Sequence, residues 1–313
     1  MKKTLLSLIA VSLMAFSSCR KSDDLPTDLD GNFIQHNADR SFQQDESDQA
    51  DADINDALKD IPGFGKTAGV SSTGPLCGVT IDSSQLAQKI LFFNFDGVTP
   101  CFSPSRTRSG QIKVQLTSGN NWSDINSVLT LTYINFKVTR LSDNRWVMFN
   151  GVKTLTNLNG HDWLGFLAGN SSHQYKERAY NVDVDFINGA SAIWNIARRT
   201  TWSFSPTSNV GPKINFECTG DTSLNGFSNV DMWGVNRFGE SFTTYYTAPW
   251  RSNSYCGFWR PVGGTLQHKV AGRQYRLDLG VDQSGNPSAL NCAYGFKVTW
   301  TINGNTNSRV FSY

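Results

Sequence analysis

The chain has little charge, little histidine and no long apolar run. Charged residues make up 17% of its 313 residues, with 4 His and 4 Met. With mean hydropathy at −0.35, this composition excludes a polytopic membrane protein, a coiled coil and a collagen-like fibre. No Lys/Arg-rich run occurs, which argues against nucleic acid as a partner. There is no Gly-x-Ser-x-Gly elbow, no Ser/Lys signature, and no His-x-Glu-x-x-His or Cys-x-x-Cys framework. The segment Gly63-Phe64-Gly65-Lys66-Thr67 fails as a phosphate loop, because position 60 carries Asp60 where a glycine is required. Neither a cofactor nor a metal is therefore expected.

Aromatic residues and glycine are plentiful. The 20 Phe, 9 Tyr and 9 Trp can bury enough surface to exclude wholesale disorder. The size suits one large β domain or two smaller ones.

The N-terminus has the form of a lipoprotein signal peptide over residues 1–18. Lys2 and Lys3 form a basic start, and 4–16 is apolar but too short to span a bilayer. Ala15-Phe16-Ser17-Ser18-Cys19 then resembles a lipobox, which makes Cys19 the expected lipidation site and membrane anchor. The following Arg20-Lys21-Ser22-Asp23-Asp24 resembles the surface-export signal of Bacteroidota lipoproteins. It implies the outer leaflet of the outer membrane, facing outward, with the periplasmic face as the alternative.

Charge divides the rest. Residues 20–60 hold 12 acids against 4 bases, and 61–313 hold 14 acids against 22 bases. The acidic part, poor in aromatics, reads as a flexible tether over 19–68 with one helical patch at 53–58. The body reads as two β halves, 69–168 and 169–313. Period-2 alternation marks strands at 90–95, 111–116, 128–139, 146–149, 181–187, 241–246, 274–279, 294–302 and 308–312. Asn188-Gly189 and Asn303-Gly304 supply two-residue hairpin turns, and Ser142-Asp143-Asn144 another. The expected fold is all-β, an antiparallel sandwich type with one large body or two similar halves.

The body carries five cysteines, Cys77, Cys101, Cys218, Cys256 and Cys292, so at least one is unpaired within the chain. Spacing leaves the pairing open. Cys77-Gly-Val-Thr, the strand 90–97, Cys101 and 106–114 together resemble the first half of a group of Bacteroidota outer-membrane and surface lipoproteins. Residues 135–138, 150–157 and Trp202 extend the likeness. So do 234–239, Cys256, Gly263-Gly264, 277–280, Cys292 and 297–299. The group has no assigned activity, so no catalytic residue is carried across. The resemblance implies the disulfides Cys77–Cys101 and Cys256–Cys292 and a weak internal repeat. Cys218, alternating with Ile214 and Phe216, is expected as a buried free thiol.

Three constellations could carry chemistry. Asp183 and Asp185 alternate with Val182, Val184 and Phe186, so both carboxylates share one strand face. Paired acids can cleave glycosides, while alternation alone also explains them as a solvated face partnered by Arg198 or Arg199. His161-Asp162 and His173 flank a Gly/Asn/Ser-rich loop and could form an acid/base couple or a metal pair. Tyr245, Tyr246, Trp250, Tyr255, Phe258 and Trp259 crowd one segment, interleaved with Arg251, Asn253 and Arg260. Some of these rings must lie outside a single core, and exposed rings beside polar groups hold sugars or partner surfaces. The expected function is non-catalytic binding of glycan or protein by a surface lipoprotein through Tyr245, Trp250, Arg251, Tyr255 and Trp259. The alternatives are a secreted polysaccharide hydrolase using Asp183, Asp185 or His161, and a structural envelope component.

Overall fold

The computed structural model describes residues 31–58, 61, 64, 77–101, 106–160, 172–302 and 304–313. Cys19, His161, Asp162 and the residues around Phe64 in the near-miss phosphate loop lie outside them.

The body is all-β and antiparallel. Its strands are Val79–Asp82 (β1), Ile90–Asp96 (β2), Arg106–Ser118 (β3), Val128–Arg140 (β4), Trp146–Asn157 (β5), Ser172–Phe186 (β6) and Ser191–Ser205 (β7). There follow Lys213–Gly220 (β8), Thr222–Leu224 (β9), Phe227–Val235 (β10), Ser241–Asn253 (β11), Gly263–Val270 (β12), Arg273–Val281 (β13), Gly295–Ile302 (β14) and Asn305–Ser312 (β15). The turn at Asn188-Gly189 joins β6 to β7, with Gly189 N donating to Phe186 O. All 15 strands among the described residues belong to one hydrogen-bonded sheet. The ladder runs unbroken past residue 168 through the β5–β6 pairing, so the two expected halves share one sheet.

One departure from a plain meander positions later features. The first part of β7 pairs with β10 and the rest with β8; β11 likewise pairs first with β10 and then with β8. Strands β8 and β10 thus lie end to end in one lane. Gly220 stands at their junction, where an added Cβ would meet Asn229 O at 2.0 Å.

One buried cluster runs across the inner face of the sheet. Leu91 and Phe93 of β2 share a buried cluster with Val298 and Trp300 of β14 and with inner-face residues of the strands between. A row of irregularities in β3, β4, β5, β6, β10 and β11 crosses the sheet at adjacent registers. Bulges bend strands and raise their twist, so such a row lets a wide sheet curl. At Gly110, φ is +85° and a Cβ would lie 2.1 Å from Asn135 O, so no other residue fits this crossing without a shift of the backbone.

The tether expectation is overturned over 31–58. Gly31–Leu58 is a 28-residue helix (α1) lying against the inner face of the curled sheet. Its buried positions are His36, Asp39, Gln43, Glu46, Ser47, Ala50, Asp51, Ile54 and Leu58, a stripe at helical spacing. The stripe is mostly polar, so it carries no hydrophobic period. What covers it is charge of the opposite sign on the sheet. Between β1 and β2 the chain makes one 3₁₀ turn, Leu86–Gln88.

Candidate functional site

The aromatic segment divides by where alternation and the loop put each ring. On β11, Tyr246 points inward and is buried with Cys218 and Leu266. Tyr245 points the other way and stacks on Phe227 at 4.6 Å between centroids. Lys269 Nζ stands 4.4 Å from the centroid of that Phe227 ring. Trp250 is half-buried, packs on the small Cys218 cluster and donates from Nε1 to Ser252 Oγ at 2.9 Å. Phe258, Trp202, Phe216 and Trp250 then form a chain of edge-to-face contacts, 5.3, 4.9 and 6.3 Å between successive centroids. These half-buried rings pack on one another.

Tyr255 and Trp259 differ. They lie in the connection between β11 and β12 and are 54% and 45% exposed. The connection itself is pinned. The Cys256–Cys292 disulfide ties it to the segment before β14. Cys256 N donates to Asn253 Oδ1 at 3.0 Å, and Arg260 Nε donates to Ala293 O at 2.8 Å. Ser254 exchanges two 2.9 Å hydrogen bonds with the Ile214 backbone. Gly257 has φ +79°, and a Cβ there would meet Trp259 Nε1 at 2.5 Å, so the indole lies directly over the glycine backbone. The edge of Trp259 faces Tyr313, 6.5 Å away. The result is two exposed rings on a braced loop, with the Arg251 side chain also exposed nearby in sequence.

The other cysteines match the pairing implied by the resemblance. Cys77–Cys101 is the second disulfide, and Cys218 is a buried free thiol whose pKa burial pushes up to about 12.

Asp183 is exposed and Asp185 half-buried on the outer face of β6, alternating with buried Val182, Val184 and Phe186. Their expected arginine partners are engaged elsewhere. Arg198 points inward to Asp231 at 2.7 Å, and Arg199 pairs with Asp221 at 2.9 Å. His173 is buried beside Tyr175, ring centroids 5.8 Å apart, rather than displayed on a loop.

Sequence reasoning missed the seam between α1 and the sheet. Asp39 pairs with Arg237, Arg40 with Asp231, Glu46 with Arg106, Asp48 with Arg198, Asp51 with Lys153 and Asp53 with Arg108. Asn55 Oδ1 accepts from Trp122 Nε1 at 2.6 Å. At the centre, Lys153 Nζ lies 2.6 Å from Asp51 Oδ1, 2.8 Å from Ser47 Oγ and 3.8 Å from Glu177 Oε1. Burial pushes Asp51 up to about 7, partly offset by Lys153. Burial also works against the Lys153 ammonium, but Asp51, Tyr133 and Glu177 outweigh it and hold its pKa well above the ordinary lysine value. Carboxylate oxygens of Asp48, Asp51 and Glu177 converge within 4.8 Å of one another. Lys153 and Arg198 supply the neutralising charge there, so the cluster does not call for a cation.

Further along the helix, His36 stacks on His268 at 4.7 Å and packs on Phe242 at 4.6 Å. Burial, reinforced by Arg40 and Arg237, lowers the His36 pKa to about 3. Both imidazoles are therefore neutral near pH 7, since burial also holds His268 well below its usual value.

Compared with protein-family models, curated proteins and solved structures, the chain matches none.

Proposed function

We propose that this chain is a surface-anchored, non-catalytic lipoprotein that binds glycan through the Tyr255–Trp259 loop. One observation carries the reading: two large rings stay exposed on a loop braced by a disulfide and backbone hydrogen bonds. Flat rings beside guanidinium and amide groups suit the apolar faces and hydroxyls of sugar rings. The anchor is the lipid on Cys19. Because α1 starts at Gly31, the body follows the anchor closely, within about 40 Å even if the intervening chain were fully extended.

The test compares retention of wild type, Tyr255→Ala and Trp259→Ala on immobilised polysaccharides, with thermal unfolding measured in parallel. Loss of retention at unchanged Tm supports the site. Undiminished retention in both variants removes it, and retention only on envelope proteins points to a protein partner. Trp250 is a poor probe, because its ring packs on the Cys218 cluster and its loss would lower stability directly.

A further inference from the structure

We propose that Lys153 Nζ and Asp51 Cγ join in an intramolecular isopeptide bond, with Glu177 as the proton carrier. The amine and the carboxyl already touch, at 2.6 Å, and their side chains are 1% and 9% exposed. They come from a strand and a helix 102 residues apart, so only the assembled fold brings them together. Glu177 is 2% exposed, and its Oε1 accepts no hydrogen bond from the described residues. That oxygen stands 3.8 Å from Lys153 Nζ, and one Glu177 carboxylate oxygen lies within 4.8 Å of one of Asp51, so a small side-chain shift brings the carboxylate to both reacting groups.

The step balances without a co-reactant. Lys153 Nζ passes one proton to Asp51 Oδ1, and the freed lone pair attacks Asp51 Cγ. Glu177 takes a second proton from the nitrogen and gives it to the departing hydroxyl, which leaves as water as the Cγ–O bond breaks. An ammonium and a carboxylate thus become one amide and one water. Nothing is oxidised or reduced.

Three features of the surroundings favour this outcome. Fixing the partners in contact supplies the large effective concentration that amide formation lacks in water. A dry interior disfavours the ion pair, which stays desolvated, against a neutral amide, which does not bear that penalty. Burial raises Asp51 to about 7, which eases its protonation by Lys153 although the acids around Lys153 favour its ammonium. The product N–H would find Ser47 Oγ as its acceptor, now 2.8 Å from the nitrogen. The bond would fasten the acidic helix permanently inside the sheet.

The test is peptide mapping of the reduced full chain. Trypsin cuts an unlinked chain into 41–59, 146–153 and 154–176 around these residues. The bond blocks cleavage after Lys153, so a branched species joining 41–59 to 146–176 is expected, lighter by one water than its parts. Lys153→Arg, which keeps the charge, should give only linear peptides. Glu177→Gln should leave most of the chain unlinked while circular dichroism stays that of wild type. Linear peptides alone from folded wild type overturn the proposal. Complete linkage in Glu177→Gln overturns the role given to Glu177.

Discussion

Lys153 Nζ, on the inner face of β5, stands 2.6 Å from Asp51 Oδ1 on a helix turned inward from the acidic N-terminal segment. The first prediction follows from its burial. Truncating one member of a buried charge group leaves the others desolvated without compensation, at a cost of about 3–5 kcal/mol. Lys153→Ala leaves Asp51 unpaired and takes one of two cations from Glu177. By contrast, Arg276 pairs with Asp278 while 53% exposed, and Arg276→Ala should cost under ~1 kcal/mol. Urea unfolding of the two variants checks this. Comparable losses would contradict the seam as a main support of the fold.

A second prediction concerns acid. His36 has its folded pKa lowered to about 3 from 6.5. Below pH 6.5 the unfolded chain takes up a proton that the folded chain refuses, so its contribution is full above 6.5 and is lost as pH falls toward 3. In any chain whose Asp51 is not joined to Lys153, that carboxyl acts in the opposite sense, favouring the fold as it protonates below about 7. The two effects partly cancel in such a chain, so a variant is needed to separate them. His36→Phe, which keeps a ring against Phe242, should remove one proton from the acid limb, a difference of about 1.4 kcal/mol per pH unit between pH 6 and 4. Parallel acid limbs for the two proteins would contradict the buried neutral imidazole.

The two disulfides should separate stability from binding. They close loops of 24 and 36 residues, each worth about 3–4 kcal/mol. Replacing either pair by serine should lower the unfolding midpoint by similar amounts. Only the Cys256→Ser, Cys292→Ser chain should also lose polysaccharide retention, because that bridge braces the Tyr255–Trp259 loop. Equal retention by both double variants would detach the loop from binding.

Thiol counting tests the anchor and the core together. Cys218 is buried with its pKa pushed up to about 12, so an aromatic disulfide reagent should leave it untouched in the native protein. In the unfolded, unreduced mature chain it should be the single thiol released if Cys19 carries its lipid. A second reactive thiol would mean that Cys19 is unmodified.

The strands were readable because one sheet face is buried and the other wet, which writes period 2 into segments such as 128–139 and 181–187. Hairpin signals at Asn188-Gly189 and Ser142-Asp143-Asn144 were readable for a local reason, since their conformations need residues that tolerate positive φ. Helix α1 was not readable as buried. Its inward stripe of Asp39, Glu46, Asp51 and their neighbours is polar, and hydrophobic periodicity is blind to a face covered by charge. A signal did exist in the body: Lys153 shares the parity of Leu155, and Arg198 that of Trp194 and Ile196, so both bases sit at inner positions. Bases at core positions demand acids from elsewhere, and the acidic segment was the largest source in the chain. The aromatic cluster was readable as a group but not residue by residue. Alternation sends Tyr246 inward, whereas a disulfide-braced turn holds Tyr255 and Trp259 outward, and only the tertiary structure separates the two.

The most direct measurement incubates the purified oxidised protein with a polysaccharide panel and reads both retention and released sugars. Retention without products, lost in Trp259→Ala at unchanged Tm, is the predicted result. Released sugars, or retention that survives loss of both Tyr255 and Trp259, would contradict the account.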